Sequence, residues 1–315
     1  MRIDVKIGTR GSKLAIIQAK MVKKLLLEKD SMLNVDIIII KTKGDKILDS
    51  PLSKIGDKGL FTKELETALL TNRIDLAVHS LKDLPTELPE GIILGGILKR
   101  EDVRDAFISK DGKKLFEMPE GSVIATSSLR RRSQLLKLGK GFQIIDIRGN
   151  VETRLSKLES GYCDGTILAC SGMIRSGLEH KISEKLSPDI MMPAISQGII
   201  GIEINENNSS VKELLLEISD SETIVMAKAE RAFLNTMEGG CQTPVGCYSV
   251  IDGNNFRFRA LVSDLAGQKV ITVENTGLLE DAVEIALRTA SDILARGGDS
   301  IMADIRKEAG ENYEA

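Results

Sequence analysis

The feature of this sequence that most restricts its fold is a repeated junction, where a short apolar stretch runs into small polar or basic residues and then into a helical pattern. The clearest example begins at Val123-Ile124-Ala125, which predicts a strand. Thr126, Ser127 and Ser128 follow, and such side chains often cap helix N-termini. Leucines then recur at roughly helical spacing from Leu129 to Leu138. A strand followed directly by a helix is the unit from which α/β sheets are built.

Arginines fill the first turn of this predicted helix, at positions Arg130, Arg131 and Arg132. Cations are unfavourable there, because the helix dipole already places positive charge at the N-terminus. The arrangement is explained if an anion binds among them, close to the free amides of the helix start. A second junction repeats the pattern, with a strand over 143–148, a turn at Arg148-Gly149-Asn150 and Arg154 in the next helix. The alternative is a solvated basic helix face.

Other predicted strands also end in basic or polar residues. Arg10 and Ser12 follow the strand at 5–8, Lys82 and Asp83 follow the strand at 74–80, and Arg175 lies in the helix after the strand at 165–170. Open α/β sheets bind ligands at the carboxyl ends of their strands. The convergence therefore predicts a site for a small polyanionic ligand.

Asp83 allows two interpretations. Just beyond a strand, it could act as a general acid or base, or as the counter-ion of a cationic intermediate. It could also be a turn residue that caps the chain before Pro85, and Asp83 taken alone favours this second interpretation. His79, within the apolar strand, is interpreted as a core histidine.

Composition limits the class of ligand. The chain has 315 residues, a net charge of −3 and 3% aromatic residues, so the basic cluster is local and a nucleic-acid partner is disfavoured. No CxxC or Cys/His spacing is present, and no metal site is expected. The N-terminus shows no signal peptide, and no apolar run approaches the roughly 20 residues of a membrane helix. We expect a cytoplasmic protein with reduced thiols.

Three further segments indicate how the chain is organised. Four consecutive isoleucines within 36–41 predict a buried parallel strand. The glycine-rich stretch 49–60 is typical either of a lid or of an ordinary surface loop. The apolar segment 193–203 is expected to cross back to the first α/β unit.

The C-terminal part predicts a separate α+β unit. A long helix over 221–237 ends at glycines and is followed by three alternating strands and two helices. Cys241 comes directly after two glycines and before polar residues, so it should be accessible, and it is a candidate for covalent chemistry. A structural role is the alternative. Cys163, Cys170 and Cys247 lie in apolar surroundings and are expected to pack in the core.

Taken together, these segments resemble the porphobilinogen deaminase (hydroxymethylbilane synthase) family over nearly the whole chain. The resemblance is carried by the strings Thr9-Arg10-Gly11-Ser12, Lys58-Gly59-Leu60-Phe61, Ala77-Val78-His79-Ser80-Leu81-Lys82-Asp83-Leu84-Pro85, Thr126-Ser127-Ser128-Leu129-Arg130-Arg131, Arg148-Gly149-Asn150-Val151-Glu152-Thr153-Arg154 and Glu238-Gly239-Gly240-Cys241-Gln242. Arg132 extends the family's arginine pair to three.

The resemblance implies an α/β fold with two periplasmic-binding-protein-like lobes around a cleft and a smaller α+β C-terminal domain. Domain 1 would comprise 1–98 with 193–217, domain 2 would comprise 99–192, and domain 3, which contains the cofactor-attachment cysteine, would comprise 218–315. A monomer is expected.

The resemblance also implies a reaction and a cofactor. The family condenses four porphobilinogen molecules head to tail, releases ammonia each time and hydrolyses the product to hydroxymethylbilane, in tetrapyrrole (haem) biosynthesis. It does so on a dipyrromethane cofactor held by a thioether, here implied to be at Cys241. The partners are then porphobilinogen and the growing oligopyrrole chain, with no nucleic acid and no membrane.

By the same resemblance Asp83 is the catalytic residue, because a carboxylate stabilises the cation left when ammonia departs. Each pyrrole brings two carboxylates, which arginine binds well. The implied cofactor- and substrate-binding residues are Arg10, Ser12, Lys82, Thr126, Ser127, Ser128, Arg130, Arg131, Arg148, Gly149, Arg154 and Arg175.

Two other functions compete with this one. A non-catalytic protein that binds a small dicarboxylate would use the same arginines but leave Cys241 without a role. An RNA-binding regulator that uses the arginines of 130–132 is disfavoured by the net charge and the low aromatic content.

Overall fold

The computed structural model describes residues 4–46, 61–237 and 243–311. These residues form two compact units. The first, here called lobe 1, contains 4–46, 61–101 and 198–224. The second contains lobe 2, residues 102–197, and the C-terminal domain, the described residues from 225 to 311. The predicted three-domain boundaries remain a prediction.

Thirteen strands occur in the described part of the chain. They are β1 (Asp4–Thr9), β2 (Asn34–Ile39), β3 (Leu76–Ser80), β4 (Ile92–Ile97), β5 (Asp105–Ser109), β6 (Val123–Ala125), β7 (Gln143–Ile145), β8 (Gly165–Ala169), β9 (Glu184–Leu186), β10 (Ile200–Asn205), β11 (Val245–Asp252), β12 (Asn255–Ser263) and β13 (Val270–Leu278).

The α-helices of the same residues are α1 (Lys13–Lys29), α2 (Lys43–Lys46), α3 (Lys63–Leu70), α4 (Leu129–Lys137), α5 (Val151–Glu159), α6 (Cys170–Arg175), α7 (Ser209–Leu216), α8 (Ser221–Thr236), α9 (Ala282–Ile293) and α10 (Asp299–Glu311). None of the helices in these described ranges is both long and apolar enough to cross a membrane.

The sheet of lobe 1 has the strand order β2-β1-β3-β10-β4. Strands β1, β2 and β3 pair in parallel, whereas β10 is antiparallel to both β3 and β4. Strand β10, into which the segment 193–203 leads, therefore lies inside the sheet of lobe 1.

The sheet of lobe 2 repeats this topology with the order β7-β6-β8-β5-β9. Strands β7, β6 and β8 are parallel, and β5 is the antiparallel member between β8 and β9. In each lobe, the antiparallel strand is the first strand after the chain passes from one unit to the other. This strand is β10 in lobe 1 and β5 in lobe 2. The parallel strands of each lobe end at one common edge, where the predicted site residues follow them.

Helix α1 shows how the local sequence builds lobe 1. Ser12 caps the helix, with its hydroxyl accepting a hydrogen bond from the Ala15 amide at 3.3 Å. The buried face contains Ala19, Val22 and Leu26, which recur at helical spacing and pack against the strands. Burial of one such leucine contributes about 1.5–3 kcal/mol. This packing holds the helix start at the end of β1.

The prediction of a buried strand at 36–41 is wrong in its burial. Strand β2 is parallel to β1, as expected, but it is the edge strand of the sheet. Ile39 is 55% exposed. The run of isoleucines suggested cover on both faces, but hydrophobicity alone does not distinguish a central strand from an edge.

The C-terminal domain is an antiparallel sheet, in the order β11-β12-β13, packed against helices α8, α9 and α10. Its core includes Phe233 and Phe258, whose ring centroids lie 5.4 Å apart. The predicted fold class, two α/β lobes with a smaller α+β domain, is confirmed.

Candidate functional site

The strand ends of lobe 1 bring two predicted groups to one edge. Strands β1 and β3 are adjacent and parallel, so Arg10 and Ser12 follow one strand, and Lys82 and Asp83 follow its neighbour. The guanidinium of Arg10 lies 4.1 Å from the ring centroid of Phe61, a cation–π contact. These residues of lobe 1 therefore lie at a single sheet edge, as expected.

Asp83 is an exposed residue in a short turn between two buried leucines. Residues Leu81–Asp83 form one 3-10 turn after β3, in which the Leu84 amide donates to the Leu81 carbonyl at 3.1 Å. Leu81 and Leu84 are buried, while Asp83 is exposed. The amide of Leu81 also donates to the carbonyl of Ile199, at 3.0 Å. Two buried leucines thus hold the turn in place, and the side chain of Asp83 between them is exposed.

The end of β3 is also tied to helix α1. Gln18 Nε2 donates to Ser80 Oγ at 2.9 Å, and Thr9 Oγ1 donates to the Ala15 carbonyl at 3.1 Å. His79, as expected, is a buried core residue. The polar contacts at this edge are therefore made by side chains on both β1 and β3.

In lobe 2, three hydroxyl residues connect β6 to helix α4. Ser127 Oγ donates to the Ile147 carbonyl and accepts from the Ile147 amide, both at 3.0 Å. Ser128 is the N-cap of α4 and accepts a hydrogen bond from the Arg131 amide at 3.5 Å. Thr126 is buried, and its Oγ1 accepts from the Ser128 amide at 3.3 Å. The hydroxyls fix the junction that the sequence predicted.

An anion does lie among the arginines at the start of α4, but it belongs to the protein. Arg131 Nη2 lies 2.6 Å from Asp105 Oδ1, and Arg130 Nη1 lies 2.9 Å from Asp105 Oδ2. Arg130 is 5% exposed and Arg131 is 6% exposed. Arg132 instead donates from Nη1 to the Ile144 carbonyl at 3.2 Å. The three arginines therefore have two different environments.

Burial and the neighbouring charges shift the pKa of Asp105 in opposite directions. Burial favours the neutral acid, but the charges of Arg130 and Arg131 outweigh it and hold the pKa of this carboxyl well below its usual range. Burial lowers the pKa of Arg130, and Asp105 opposes this shift. The ion pair is thus charged at neutral pH.

A second turn of lobe 2 carries Arg148, Gly149 and Arg154. Asn150 caps α5 by accepting from the Thr153 amide at 2.9 Å, and Arg154 Nε donates to the Gly149 carbonyl at 2.8 Å. Gly149 has φ +115°, and a Cβ at this position would lie 2.5 Å from Thr153 Cγ2. Only glycine fits there without displacing Thr153.

The remaining predicted groups of lobe 2 lie near the same edge. Arg148 is half-buried, and burial lowers the pKa of its guanidinium. Arg175 is half-buried and is the last residue of α6, the short helix after β8. Because β7, β6 and β8 are adjacent and parallel, Arg148, Arg130 and Arg175 follow three neighbouring strands in turn.

Cys241 and the 49–60 loop lie outside the described residues. The other three cysteines are buried, as expected. Burial raises the pKa of Cys170 to about 12 and raises that of Cys163. These thiols are therefore unsuited to nucleophilic chemistry at neutral pH.

Asp105 and Gln197 are two buried polar residues that sequence reasoning missed. Both are 0% exposed. A signal was present, since Asp105 is the one charged residue that opens the apolar strand β5. In the described ranges, no cluster of three or more His, Cys, Asp or Glu side chains is arranged to hold a metal ion.

The fold and the strand-end groups define a two-lobed α/β protein, and each lobe presents cationic side chains at one edge of its sheet. Comparison with known families gives the particular assignment. Residues 5–213 match the family model "Porphobilinogen deaminase, dipyromethane cofactor binding domain", and residues 224–295 match "Porphobilinogen deaminase, C-terminal domain". The chain belongs to the porphobilinogen deaminase family, a transferase family of tetrapyrrole biosynthesis, and its cofactor is dipyrromethane.

Relatives of the same name match over the full length. The porphobilinogen deaminase of Carboxydothermus hydrogenoformans is 46% identical over 311 residues, covering 99% of this chain and 100% of the relative. That of Desulforamulus reducens is 45% identical over 311 residues, with the same coverage of 99% and 100%.

Among solved structures, the chain is similar to a TRAP periplasmic solute binding protein from Desulfovibrio salexigens, with a TM-score of 0.45 and 11% identity, covering 98% of this chain and 96% of that one. It is also similar to the methionine binding protein MetQ, with a TM-score of 0.43 and 15% identity, covering 72% and 94% of the two chains.

Proposed function

We propose that this chain joins four porphobilinogen molecules head to tail with release of ammonia and then hydrolyses the product to hydroxymethylbilane, using the strand-end residues of its two lobes. One observation supports the residue assignment above the others. In each lobe, cationic and hydroxyl side chains follow adjacent parallel strands and so lie at one sheet edge. Such an edge is where α/β sheets bind ligands.

The donor set suits the dipyrromethane cofactor and its carboxylates. Arg148, Arg154 and Arg175 are half-buried, so their guanidinium groups are partly desolvated, and a charged hydrogen bond is stronger in such surroundings than in water. The proposed binding groups are Arg10, Ser12 and Lys82 in lobe 1, and Thr126, Ser127, Ser128, Arg130, Arg131, Arg148, Gly149, Arg154 and Arg175 in lobe 2. When bound, the cofactor supplies the pyrrole carbon to which the first substrate is joined.

Asp83 is the proposed catalytic residue. Its exposed carboxylate stands on a rigid turn, which is what a group needs if it is to meet charge that develops in a substrate. When ammonia leaves porphobilinogen, the pyrrole becomes cationic, and a fixed carboxylate stabilises that cation. Asp83 in its protonated form, or the substrate ammonium itself, supplies the proton that departs with ammonia. Lys82, beside it, binds carboxylates.

Cys241 is the proposed attachment site, through a thioether. The buried state of the three described cysteines supports this choice by elimination, because their thiols are enclosed in cores. Cys163 and Cys170, which are buried thiols, also support a reducing, cytoplasmic location. We further propose that the protein is a monomer and has no nucleic-acid partner. The net charge of −3 and the aromatic content of 3% support the absence of a nucleic-acid partner.

Intact mass of the denatured protein tests the proposal. Wild type incubated with porphobilinogen should show a stable adduct of two pyrroles, and heavier species should appear as substrate is added. Cys241→Ser should show no adduct, and Cys247→Ser, a buried position, serves as the matched control that retains it. A folded wild-type protein without any adduct would refute the attachment and favour the non-catalytic binding protein.

A further inference from the structure

A buried carboxylate fixes the arginine pair at the start of α4. Asp105 is the first residue of β5 and is 0% exposed. Its two oxygens divide between the guanidinium groups, with Oδ1 2.6 Å from Arg131 Nη2 and Oδ2 2.9 Å from Arg130 Nη1. One carboxylate therefore sets the positions of two consecutive cations.

Backbone carbonyls hold each guanidinium from a second direction. Arg131 Nη1 donates to the Ile167 carbonyl at 2.8 Å, and Arg130 Nη1 donates to the Met192 carbonyl. Ile167 belongs to β8, and Met192 lies in the segment that follows β9. Each arginine is thus fixed between β5 and one further part of lobe 2, and neither guanidinium can swing freely.

Gln197 fixes the carboxylate itself. Its Nε2 lies 3.0 Å from Asp105 Oδ1 and 2.8 Å from the Val103 carbonyl, and Gln197 is 0% exposed. It is the last residue of lobe 2 before the chain returns to lobe 1 at Gly198. The carboxylate of Asp105 therefore has donors on three sides, two of them charged.

The charges of this cluster do not balance. Two guanidinium groups face one carboxylate, and in the described part of the chain no other acidic side chain pairs with either arginine. An unpaired buried cation is costly. Moreover, Arg131 Nε is buried and has no hydrogen-bond partner among the described residues. Both facts indicate that the cluster is completed by an anion from outside the protein.

We propose that Asp105 is a positioning residue for carboxylate binding, which holds Arg130 and Arg131 in place and cancels one of their two charges, so that one positive charge and the free donor of Arg131 remain for a carboxylate of the pyrrole chain. Gln197 holds Asp105 in turn. The inference rests on the proposed function, because it takes the arginine pair as part of the carboxylate-binding groups.

A purely structural ion pair is the alternative, and it makes a different prediction. Removal of one partner of such a pair would lower stability by several kcal/mol, because the other charge is left buried. It would leave the affinity of the folded protein for its ligand unchanged. A positioning residue changes the affinity of the folded protein.

The experiment compares Asp105→Asn and Asp105→Ala with wild type, all as the cofactor-bearing enzyme, with KM for porphobilinogen and kcat measured per mole of adduct. Asp105→Asn keeps the shape but removes the charge, and KM should rise at least tenfold while kcat changes less. Asp189→Ala is the matched control, since its carboxylate forms an exposed ion pair with Arg259. That variant should keep wild-type KM.

Chemical rescue separates the two roles. Asp105→Ala leaves space for a small carboxylate, so sodium formate should lower its KM and raise its adduct content, whereas sodium chloride at equal ionic strength should not. Formate should not help wild type or Asp189→Ala, where it can only compete with substrate carboxylates. The expected result is that formate lowers the KM of Asp105→Ala but raises that of wild type.

Two results would overturn the inference. In the first, folded Asp105→Asn has the KM and kcat of wild type. In the second, neither variant folds at any formate concentration, which makes Asp105 a structural residue. If instead wild type itself forms no adduct and shows no turnover, the proposed function fails, independently of the role of Asp105.

Discussion

His79 Nε2 lies 2.9 Å from Glu203 Oε2 in the interior of lobe 1, between the adjacent antiparallel strands β3 and β10. Both side chains are buried, and Glu66 of α3 approaches them from the helix layer. Burial raises the pKa of Glu66, the charge of Glu203 adds to this shift, and Thr62, His79 and Lys63 oppose it. Lobe 1 thus contains a carboxyl group that folding makes easier to protonate.

Glu66→Gln should change the pH dependence of stability in a defined direction. A group whose pKa is raised in the folded state contributes stability below its ordinary pKa of 4.5, and this is lost as pH rises through the folded value. The neutral amide does not titrate. Relative to wild type, the free energy of unfolding of Glu66→Gln should therefore increase from pH 4.5 upward, as measured by urea unfolding at each pH. Glu28→Gln, which removes an exposed carboxyl on α1, is the control for loss of a carboxylate as such.

Asp83→Ala should fold and keep its cofactor but lose at least about a hundredfold in turnover, because a positioned acid–base or charge-stabilising group contributes on that order. Circular dichroism, intact mass and the rate of product formation measure the three properties separately. Asp111→Ala removes another exposed carboxylate and should retain activity. Hydroxymethylbilane production by Asp83→Ala at the wild-type rate would show that the assigned role is wrong.

Gly149→Ala should be more destabilising than an ordinary substitution at a glycine of positive φ. The left-handed backbone alone costs about 1–2 kcal/mol for a residue with a Cβ. Gly112, with φ +76° and open space around its Cβ position, measures that cost as Gly112→Ala. At Gly149, the new Cβ also displaces Thr153, whose Oγ1 donates to Asn150 Oδ1 at 2.9 Å. Loss of this hydrogen bond lowers the free energy of unfolding by about 1 kcal/mol more. Equal losses of unfolding free energy in the two variants would contradict this.

Arg148→Ala and Arg132→Ala should differ in their effect on KM. Arg148 is a proposed carboxylate-binding residue, and loss of a hydrogen bond to a charged group costs about 1.5–3 kcal/mol, or roughly ten- to a hundredfold in KM. Arg132 Nη1 donates to the Ile144 carbonyl, so its removal should affect mainly stability. Steady-state kinetics with thermal melts of both variants provide the measurement. A larger rise in KM for Arg132→Ala would reverse the assignment.

Local sequence patterns predicted the sheet edges well, because each junction of strand, cap and helix is encoded within about fifteen residues. Ser12, Ser128 and Asn150 are helix N-caps in the structure, and each stands where a predicted strand ends. These caps needed no knowledge of distant contacts.

Contacts between distant parts of the chain were not predictable in this way. The anion inferred beside the arginines of α4 is partly supplied by Asp105, which lies 26 residues from Arg131. The isoleucine run of β2 gave no indication that this strand would be at the edge of its sheet. Both features depend on which strands become neighbours, and that information is not local.

The insertion of β10 between β3 and β4 has a consequence for synthesis on the ribosome. All five strands of lobe 2 have been made once residue 186 emerges, but lobe 1 cannot close its sheet until residue 205 does. At roughly 5–20 residues per second, about 5 to 20 seconds pass between the emergence of β4 and that of β10. During that time, β3 and β4 have unpaired edges that could associate with other chains. The N-terminal lobe, although it is translated first, is therefore the later of the two to complete its sheet and the one in greater need of protection by chaperones.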